Sequence, residues 1–323
     1  MKVLIIGAGG FAGSYLIDEL CNNDFEVIAT KLQNEPVNSG KCKIVDLEIL
    51  FEQDIYNVIN SNRPDVIFHL AAQSSVAVSW EKPALTANVN IKGVINLLEA
   101  LRKLDYKPRV LLIGSGEEYG NVPENENPIS EQTQANPANI YAVTKVCQNM
   151  IGKIYSDAYG LDIVMARAFN HFGPGQNETF VVSGFCKQAA EIEAGLKEPV
   201  IYTGNLNAKR DFTDVRDIVK AYICLARKGE KGEIYNVGSG KSIEISKILE
   251  IIIGASTAEI KSEVDKTKFR PIDVPIIEAN IEKIKNKTGW IPEINIKTTI
   301  IDTLQYWRNK ISLNTNENHY ENH

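Results

Sequence analysis

At 323 residues, 44% of them hydrophobic and 24% charged, the chain has the material for one large domain or two lobes, which excludes disordered and fibrous classes. A formal charge of -6, from 35 Lys and Arg against 41 Asp and Glu, provides no global basic field, so neither nucleic acid nor an anionic membrane is an expected partner and an anionic ligand has to be met by local cations. The five cysteines, Cys21, Cys42, Cys147, Cys186 and Cys224, are scattered without a C-x-x-C pair, which reads as reduced thiols of a cytosolic protein with no metal site.

Val3 to Ile6 is an apolar run too short for a signal peptide or a membrane span and suited to a buried parallel strand, so a cytoplasmic protein is expected. Gly7-Ala8-Gly9-Gly10-Phe11-Ala12-Gly13 follows it and opens a helix from about Ala12. In a strand, glycine turn and helix of this kind, backbone amides and the helix N-terminus can approach a pyrophosphate. Gly7, Gly10, Phe11, Ala12 and Gly13 are therefore candidate dinucleotide contacts. The second strand, Glu26 to Thr30, is followed by Lys31 in place of the acidic residue that would bind a ribose 2′-hydroxyl. A lysine pairs better with a 2′-phosphate, so Thr30 and Lys31 favour NADP, with NAD possible. Asp46 and Leu47, ending a third strand that starts at Lys43, are placed to flank the adenine. A helix from about Leu50, a strand from Val66 to Leu70 and a helix from about Ala84 continue the alternation, and His69 is expected to be a satisfied structural histidine.

The strand Arg109 to Ile113 leads into Gly114-Ser115-Gly116-Glu117-Glu118-Tyr119-Gly120. The carboxyl end of such a strand lies at the ligand-binding edge of a parallel sheet, so Ser115 is placed to hydrogen-bond a substrate oxygen. The helix from about Tyr141 carries Tyr141 and Lys145, four residues apart and so on one face. The Lys145 ammonium is expected beneath the Tyr141 phenol, lowering its pKa from about 10 for proton transfer at neutral pH. With Asp162 to Ala166 as a sixth strand, the pattern is a Rossmann-type doubly wound α/β domain with a parallel sheet. Beyond Arg167 it loosens into the turn Phe172-Gly173-Pro174-Gly175-Gln176 and helical segments near 181–194, 214–228, 244–253 and 296–308, a smaller C-terminal substrate-binding lobe. The expected division is a dinucleotide-binding domain over 1–167 with a returning segment near 213–238, a substrate lobe over 168–212 and 239–311, and a disordered tail over 312–323.

Gly7-x-x-Gly10-x-x-Gly13, His69-Leu70-Ala71-Ala72, Asn88-Val89-Asn90, the Ser115 to Gly120 segment, Tyr141-x-x-x-Lys145, Arg167-Ala168-Phe169-Asn170 and Arg270-Pro271 together resemble the extended short-chain dehydrogenase/reductases that act on nucleotide sugars. The resemblance covers nearly the whole chain. Within that superfamily, Arg167 to Gln176 and Gly204 to Asp217 are similar to the GDP-6-deoxy-D-mannose reductases. The alternative, the GDP-mannose 4,6-dehydratases, usually read Asp-Trp-Gly-His-Ala-Lys-Asp where this chain has Asp211-Phe212-Thr213-Asp214-Val215-Arg216-Asp217. They also carry an arginine-bearing segment near Asn177 that this chain lacks. Gly116 replaces a serine seen in both groups.

The resemblance implies NAD(P)H-dependent reduction of the 4-keto group of GDP-4-keto-6-deoxy-D-mannose to a GDP-6-deoxyhexose of the GDP-D-rhamnose type. Tyr141 would be the acid, Lys145 would lower its pKa and hold the nicotinamide ribose, and Ser115 would polarise the carbonyl. Glu117 occupies the place of the base that removes the C5 proton in the dehydratases. By the same resemblance Leu70, Ala71, Ala72, Asn90 and Phe169 join the cofactor site. Ser74, Glu117, Asn170, Phe180, Val181, Lys187, Arg210 and Arg270 would face the GDP-linked sugar, the arginines at its diphosphate. A homodimer would pack the helices that begin near Ala84 and Tyr141. Dehydration or epimerisation with a recycled cofactor is the other enzymatic reading, and a non-catalytic dinucleotide-sensing module is the remote one.

Overall fold

A computed structural model describes residues 1–37, 40–269 and 274–320, with residues 314–320 by backbone alone. The first half runs β1 (Lys2–Ile6), α1 (Phe11–Cys21), β2 (Glu26–Lys31), β3 (Lys43–Asp46), α2 (Glu52–Asn62), β4 (Val66–His69), α3 (Val76–Glu81), α4 (Pro83–Ala87), a π-helical turn over Asn88–Lys92, α5 (Gly93–Arg102), β5 (Arg109–Ser115), a 3-10 turn over Gly116–Tyr119, α6 (Ile140–Tyr159) and β6 (Ile163–Ala168). The second half follows with β7 (Asn170–Phe172), α7 (Val181–Glu193), β8 (Val200–Thr203), β9 (Lys209–Asp214), α8 (Val215–Lys228), β10 (Ile234–Val237), β11 (Ser242–Glu244), α9 (Ile245–Ala255), β12 (Lys261–Val264), β13 (Ile276–Ile277), α10 (Glu282–Thr288) and α11 (Ile296–Tyr320).

Among the described residues, seven strands form one sheet in the order β10-β6-β5-β4-β1-β2-β3, every pair of it parallel. Its strands read as continuous apolar runs because helices cover both faces. Val3 and Ile5 of β1 pack with Leu16 of α1 and Ile218 and Tyr222 of α8, whereas Leu4 and Ile6 pack with Ile55 of α2 and Leu97 of α5 on the other face. The strand order reverses between β1 and β4, and the crevice outside their carboxyl ends is where such sheets take ligands.

A separate apolar cluster joins Phe185 of α7, Ile201 of β8, Phe212 of β9, Ile248 of α9 and Trp307 of α11. Strands β7 to β13 escaped the sequence reading. They run from two to six residues, too short to show a period; β10 joins the main sheet, β7, β9, β11 and β13 form a second one, and β8 and β12 pair with each other. The last helix corrects the expected tail, because α11 continues to Tyr320 and residues 312–320 are helical. Ile300, Leu304, Trp307 and Ile311 are buried at helical spacing and anchor it, and adding turns to a packed helix is easier than starting one. All five cysteines are free thiols. Among the described residues no helix is long and apolar enough to cross a membrane, and no group of three or more His, Cys, Asp or Glu could hold a metal.

Candidate active site

The glycine turn forms a cradle with no room for a side chain at Gly7 or Gly13. Gly7 has φ +86°, and a Cβ there would lie 2.5 Å from the Ala71 backbone nitrogen; one on Gly13 would lie 2.5 Å from the Ala8 carbonyl oxygen. The Leu70 and Ala71 amides both donate to the Ile6 carbonyl at 2.9 Å, so the end of β4, with Leu70, Ala71 and Ala72, lies against the turn. Thr30 closes the other side: it is buried, its hydroxyl accepts from the Gly7 amide at 3.3 Å, and its carbonyl accepts from the Ala8 amide at 2.8 Å. Helix α1 begins after Gly10 without a side-chain cap, which leaves its first amides for an anion. A dinucleotide pyrophosphate fits this cradle. Phe11 stacks on His171 at 6.2 Å, and the Tyr15 hydroxyl donates to the Pro174 carbonyl at 2.7 Å, tying the turn to the Phe172 to Gln176 segment.

Two of the expected cofactor residues act differently. Asn90, on the π-helical turn, is buried and spends its side chain on the Gln73 backbone and on Thr144 of α6, so it positions the loop after β4. Lys31 is not the waiting cation expected for a 2′-phosphate. Its ammonium pairs with Asp46 at 2.9 Å and donates to the Leu32 and Gln33 carbonyls. Beside it, Glu35 folds back over the turn, so that a Cβ on Gly9 would come 2.7 Å from its Oε2. An open cleft of about 770 Å³ adjoins these groups, lined by Leu32, Glu35, Asp46, Leu47, Glu48 and Asp54. Its carboxylates make this end of the crevice acidic.

Ser115, Tyr141 and Lys145 are brought together at the carboxyl end of β5. Asn139 caps α6 by accepting from the Ala142 amide at 2.8 Å, and this sets Tyr141 in the first turn. The Tyr141 phenol lies beside the Ser115 side chain, and its pKa is raised, chiefly by burial, with Ser115 opposing the rise and the Glu117 and Glu118 charges adding to it. This corrects the expectation that Lys145 lowers it. The ammonium of Lys145 instead turns down onto the sheet, donating to the Ile113 carbonyl at 2.7 Å and to Gln148 Oε1 at 3.1 Å. Burial lowers the Lys145 pKa to about 8, opposed by Glu118. Glu117 sits beside Ser115, and its Oε2 accepts from the Asn139 side-chain amide at 3.2 Å. Gly116 packs against Phe169, whose ring lies 3.0 Å from where a Cβ would stand, so the missing serine makes room for that ring. Neither ring nitrogen of the buried His69 has a hydrogen-bond partner among the described residues, which corrects its reading as satisfied. Burial, with the Lys145 charge adding to it, lowers its pKa to about 3 and holds it neutral.

On the substrate side the expected residues fare unequally. Asn170 lies on β7 opposite Phe212 of β9, two residues along that strand from Arg210. Arg210 is buried and donates to the Lys209 carbonyl at 2.9 Å. Phe180 and Val181, 38% and 40% exposed, form the open start of α7, and Ser74 is exposed between β4 and α3. Lys187 is drawn away by Glu178 at 3.0 Å, by Glu191 at 3.8 Å and by the Trp307 ring, which argues against its assignment to substrate. Arg270 lies outside the described residues. Sequence reasoning missed Glu35, Tyr15 and Glu118, which act through contacts distant in sequence, and also Asn139 and Gln148, whose local signals, an N-cap asparagine and an i,i+3 partner of Lys145, could have found them.

Comparison with known proteins identifies the family. A sequence family described as GDP-mannose 4,6 dehydratase matches residues 4–303. A GDP-6-deoxy-D-mannose reductase of Pseudomonas aeruginosa is 33% identical over 262 residues, 81% of this chain and 86% of the relative. The solved structure of RMD from Pseudomonas aeruginosa complexed with NADPH superposes with a TM-score of 0.86 at 30% identity, over 96% of this chain and 99% of that one. A Thermus thermophilus UDP-glucose 4-epimerase in complex with NAD superposes with a TM-score of 0.85 at 28% identity, over 95% of this chain and 99% of that one. The chain belongs to the GDP-mannose 4,6 dehydratase family and is a nicotinamide-dependent nucleotide-sugar enzyme of the short-chain dehydrogenase/reductase type.

Proposed function

We propose that this enzyme reduces the 4-keto group of GDP-4-keto-6-deoxy-D-mannose to a GDP-6-deoxyhexose of the GDP-D-rhamnose type. The observation that carries this reading is the placement of Tyr141 beside Ser115 at the sheet edge, with the phenol kept protonated by burial. A nicotinamide dinucleotide, when bound, supplies the hydride. A ketone that gains a hydride becomes an alkoxide and needs a proton at that oxygen. Tyr141 holds one at neutral pH and donates it, while Ser115 polarises the carbonyl. Lys145, still largely charged below its pKa of about 8, keeps a cation on the sheet side of the site and would hold the nicotinamide ribose. Asn170 and Arg210 orient the diphosphate sugar, with Phe180 and Val181 at the mouth, and the relative that is a GDP-6-deoxy-D-mannose reductase supports the choice of substrate.

At the adenosine end, the reading moves from NADPH to NADH. Lys31 is neutralised by Asp46, and the Glu35 carboxylate over Gly9 suits a free ribose hydroxyl and repels a 2′-phosphate. Glu117 favours a second reading, 4,6-dehydration, because a carboxylate beside Ser115 is placed to remove a carbon-bound proton. One pair of assays separates the two. The reductase consumes one NADH per GDP-4-keto-6-deoxymannose, whereas a dehydratase converts GDP-mannose with no added reductant. Response in the second assay alone overturns the proposal. The guanine base is tested by thermal shift with a panel of nucleoside diphosphates, since the native state is stabilised by what it binds.

A homodimer and a cytoplasmic location belong to the same proposal. Trp80, Leu85, Ile95, Val143, Met150 and Ile154, on α3 to α6, are between 37% and 61% exposed and form an apolar face. Light scattering at a monomer mass would exclude the dimer.

A further inference from the structure

The least expected group in the site is a carboxylate with no exposure at all. Glu118, 0% exposed, lies under the 3-10 turn that follows β5, where an apolar side chain would pack without any desolvation cost. Both its oxygens are used. Oε1 accepts from the Ser115 amide at 2.8 Å and Oε2 from Arg167 Nε at 2.8 Å, while the Asn149 side-chain amide lies 2.8 Å from each. These donors come from three elements, the end of β5, α6 and β6. Asn149 stands one helical turn beyond Lys145 on the same face of α6. Gly114 makes the room: a Cβ there would meet Glu118 Oε1 at 2.4 Å and Asn149 Nδ2 at 2.7 Å. Arg167 is itself held, its guanidinium 4.7 Å over the Tyr119 ring, whose hydroxyl donates to Asn236 at 2.7 Å.

A buried ion pair is weak evidence of stabilisation, since well-packed apolar residues serve a core as well or better. Three of the four hydrogen bonds of Glu118 go to the backbone of Ser115 and to the helix of Tyr141 and Lys145, which suits alignment. We propose that Glu118 and Arg167 form a positioning pair that clamps Ser115 against Tyr141 and sets a fixed negative charge behind Lys145. Neither residue touches the reacting atoms. The inference rests on the reading of Ser115, Tyr141 and Lys145 as the reacting set, and holds for reduction or dehydration alike.

The groups facing this set are His69 from β4, Glu117, Glu118 and Tyr119 from the 3-10 turn, Arg167 from β6 and Tyr222 from α8. His69 is neutral and Arg167 stays charged, so the Glu118 charge is the one that Glu118→Gln removes. Its loss favours deprotonation of both Lys145 and Tyr141. The expected result is a kcat at least about tenfold lower with KM little changed, and an alkaline limb of the pH–rate profile displaced to lower pH. Glu118→Gln leaves Arg167 without its counter-charge and can cost the fold, so Glu118→Leu with Arg167→Met is the second variant, removing the pair as a unit. All three proteins are assayed on whichever substrate the wild type turns over, so failure of the proposed reaction shows in the wild type and failure of the pair shows only in the variants. A folded variant with wild-type kcat and an unmoved alkaline limb overturns the inference. Unfolding of both variants does so too, because it assigns the pair to stability alone.

Discussion

Tyr141→Phe removes one oxygen and leaves the ring in place. That ring is 9% exposed in the first turn of α6, and the phenol lies beside Ser115. Ser115 Oγ keeps its bond from the Glu117 amide at 3.2 Å, so the loss amounts to at most one neutral hydrogen bond, about 1 kcal/mol. For a chain of this size that lowers the melting temperature by no more than a few degrees. The effect on turnover is far larger, because a positioned proton donor contributes roughly 100- to 10,000-fold. That corresponds to about 3–5 kcal/mol of barrier. The assay is initial-rate loss of nicotinamide absorbance with GDP-4-keto-6-deoxymannose, beside a fluorescence titration of NADH and a melting curve on the same protein. Unchanged NADH affinity, near-native melting and a kcat lower by at least about 100-fold are expected. A kcat within about threefold of wild type, on a folded protein, refutes Tyr141 as the proton donor.

The Glu35 carboxylate predicts cofactor choice: a dianionic 2′-phosphate about 5 Å from it is repelled by roughly 2 kcal/mol even in a water-like dielectric. Glu35→Ser should therefore raise the NADPH-to-NADH ratio of kcat/KM, and of affinities by fluorescence titration, by about ten- to thirtyfold; an unchanged ratio removes Glu35 from selectivity. Gly7→Ala places a Cβ 2.5 Å from the Ala71 nitrogen at φ +86°, so a loss of stability of about 1–3 kcal/mol and of NADH-dependent thermal protection is expected; wild-type melting with NADH present would contradict the cradle. Burial lowers Lys145 to about 8, so turnover should fall as pH rises through about 8, the ammonium being the working form. Stability should move the other way: from about 8 up to the unfolded value near 10.4, the unfolded chain holds a proton the folded one has released, so stability rises with pH there and the full cost of the buried charge stands below it. Lys145→Met, which removes the titration, should flatten both trends; a pH–melting curve identical to wild type would count against the shift.

The parallel sheet was legible in the sequence because its strands are buried on both faces and so read as unbroken apolar runs, with Val3 to Ile6 and Arg109 to Ile113 falling within strands that extend a residue or two further. The glycine turn was legible for a local reason, since Gly7 and Gly13 answer to steric limits set within or next to their own unit. Ser115 was legible from its place at the end of a strand, and Tyr141 with Lys145 from their spacing, because a helix places positions four apart on one face whatever surrounds it. What that spacing could not settle is where a long side chain ends. Lys145 turns toward Ile113, Lys31 toward Asp46 and Lys187 toward Glu178, partners chosen by burial and by charge from elements distant or merely nearby in the chain. The Tyr141 pKa rises for the same reason, since desolvation depends on everything packed around the ring. Glu118 is the extreme case: in the run Gly116-Glu117-Glu118 it is one of two acids, and only the meeting of β5, α6 and β6 around it makes it the buried one.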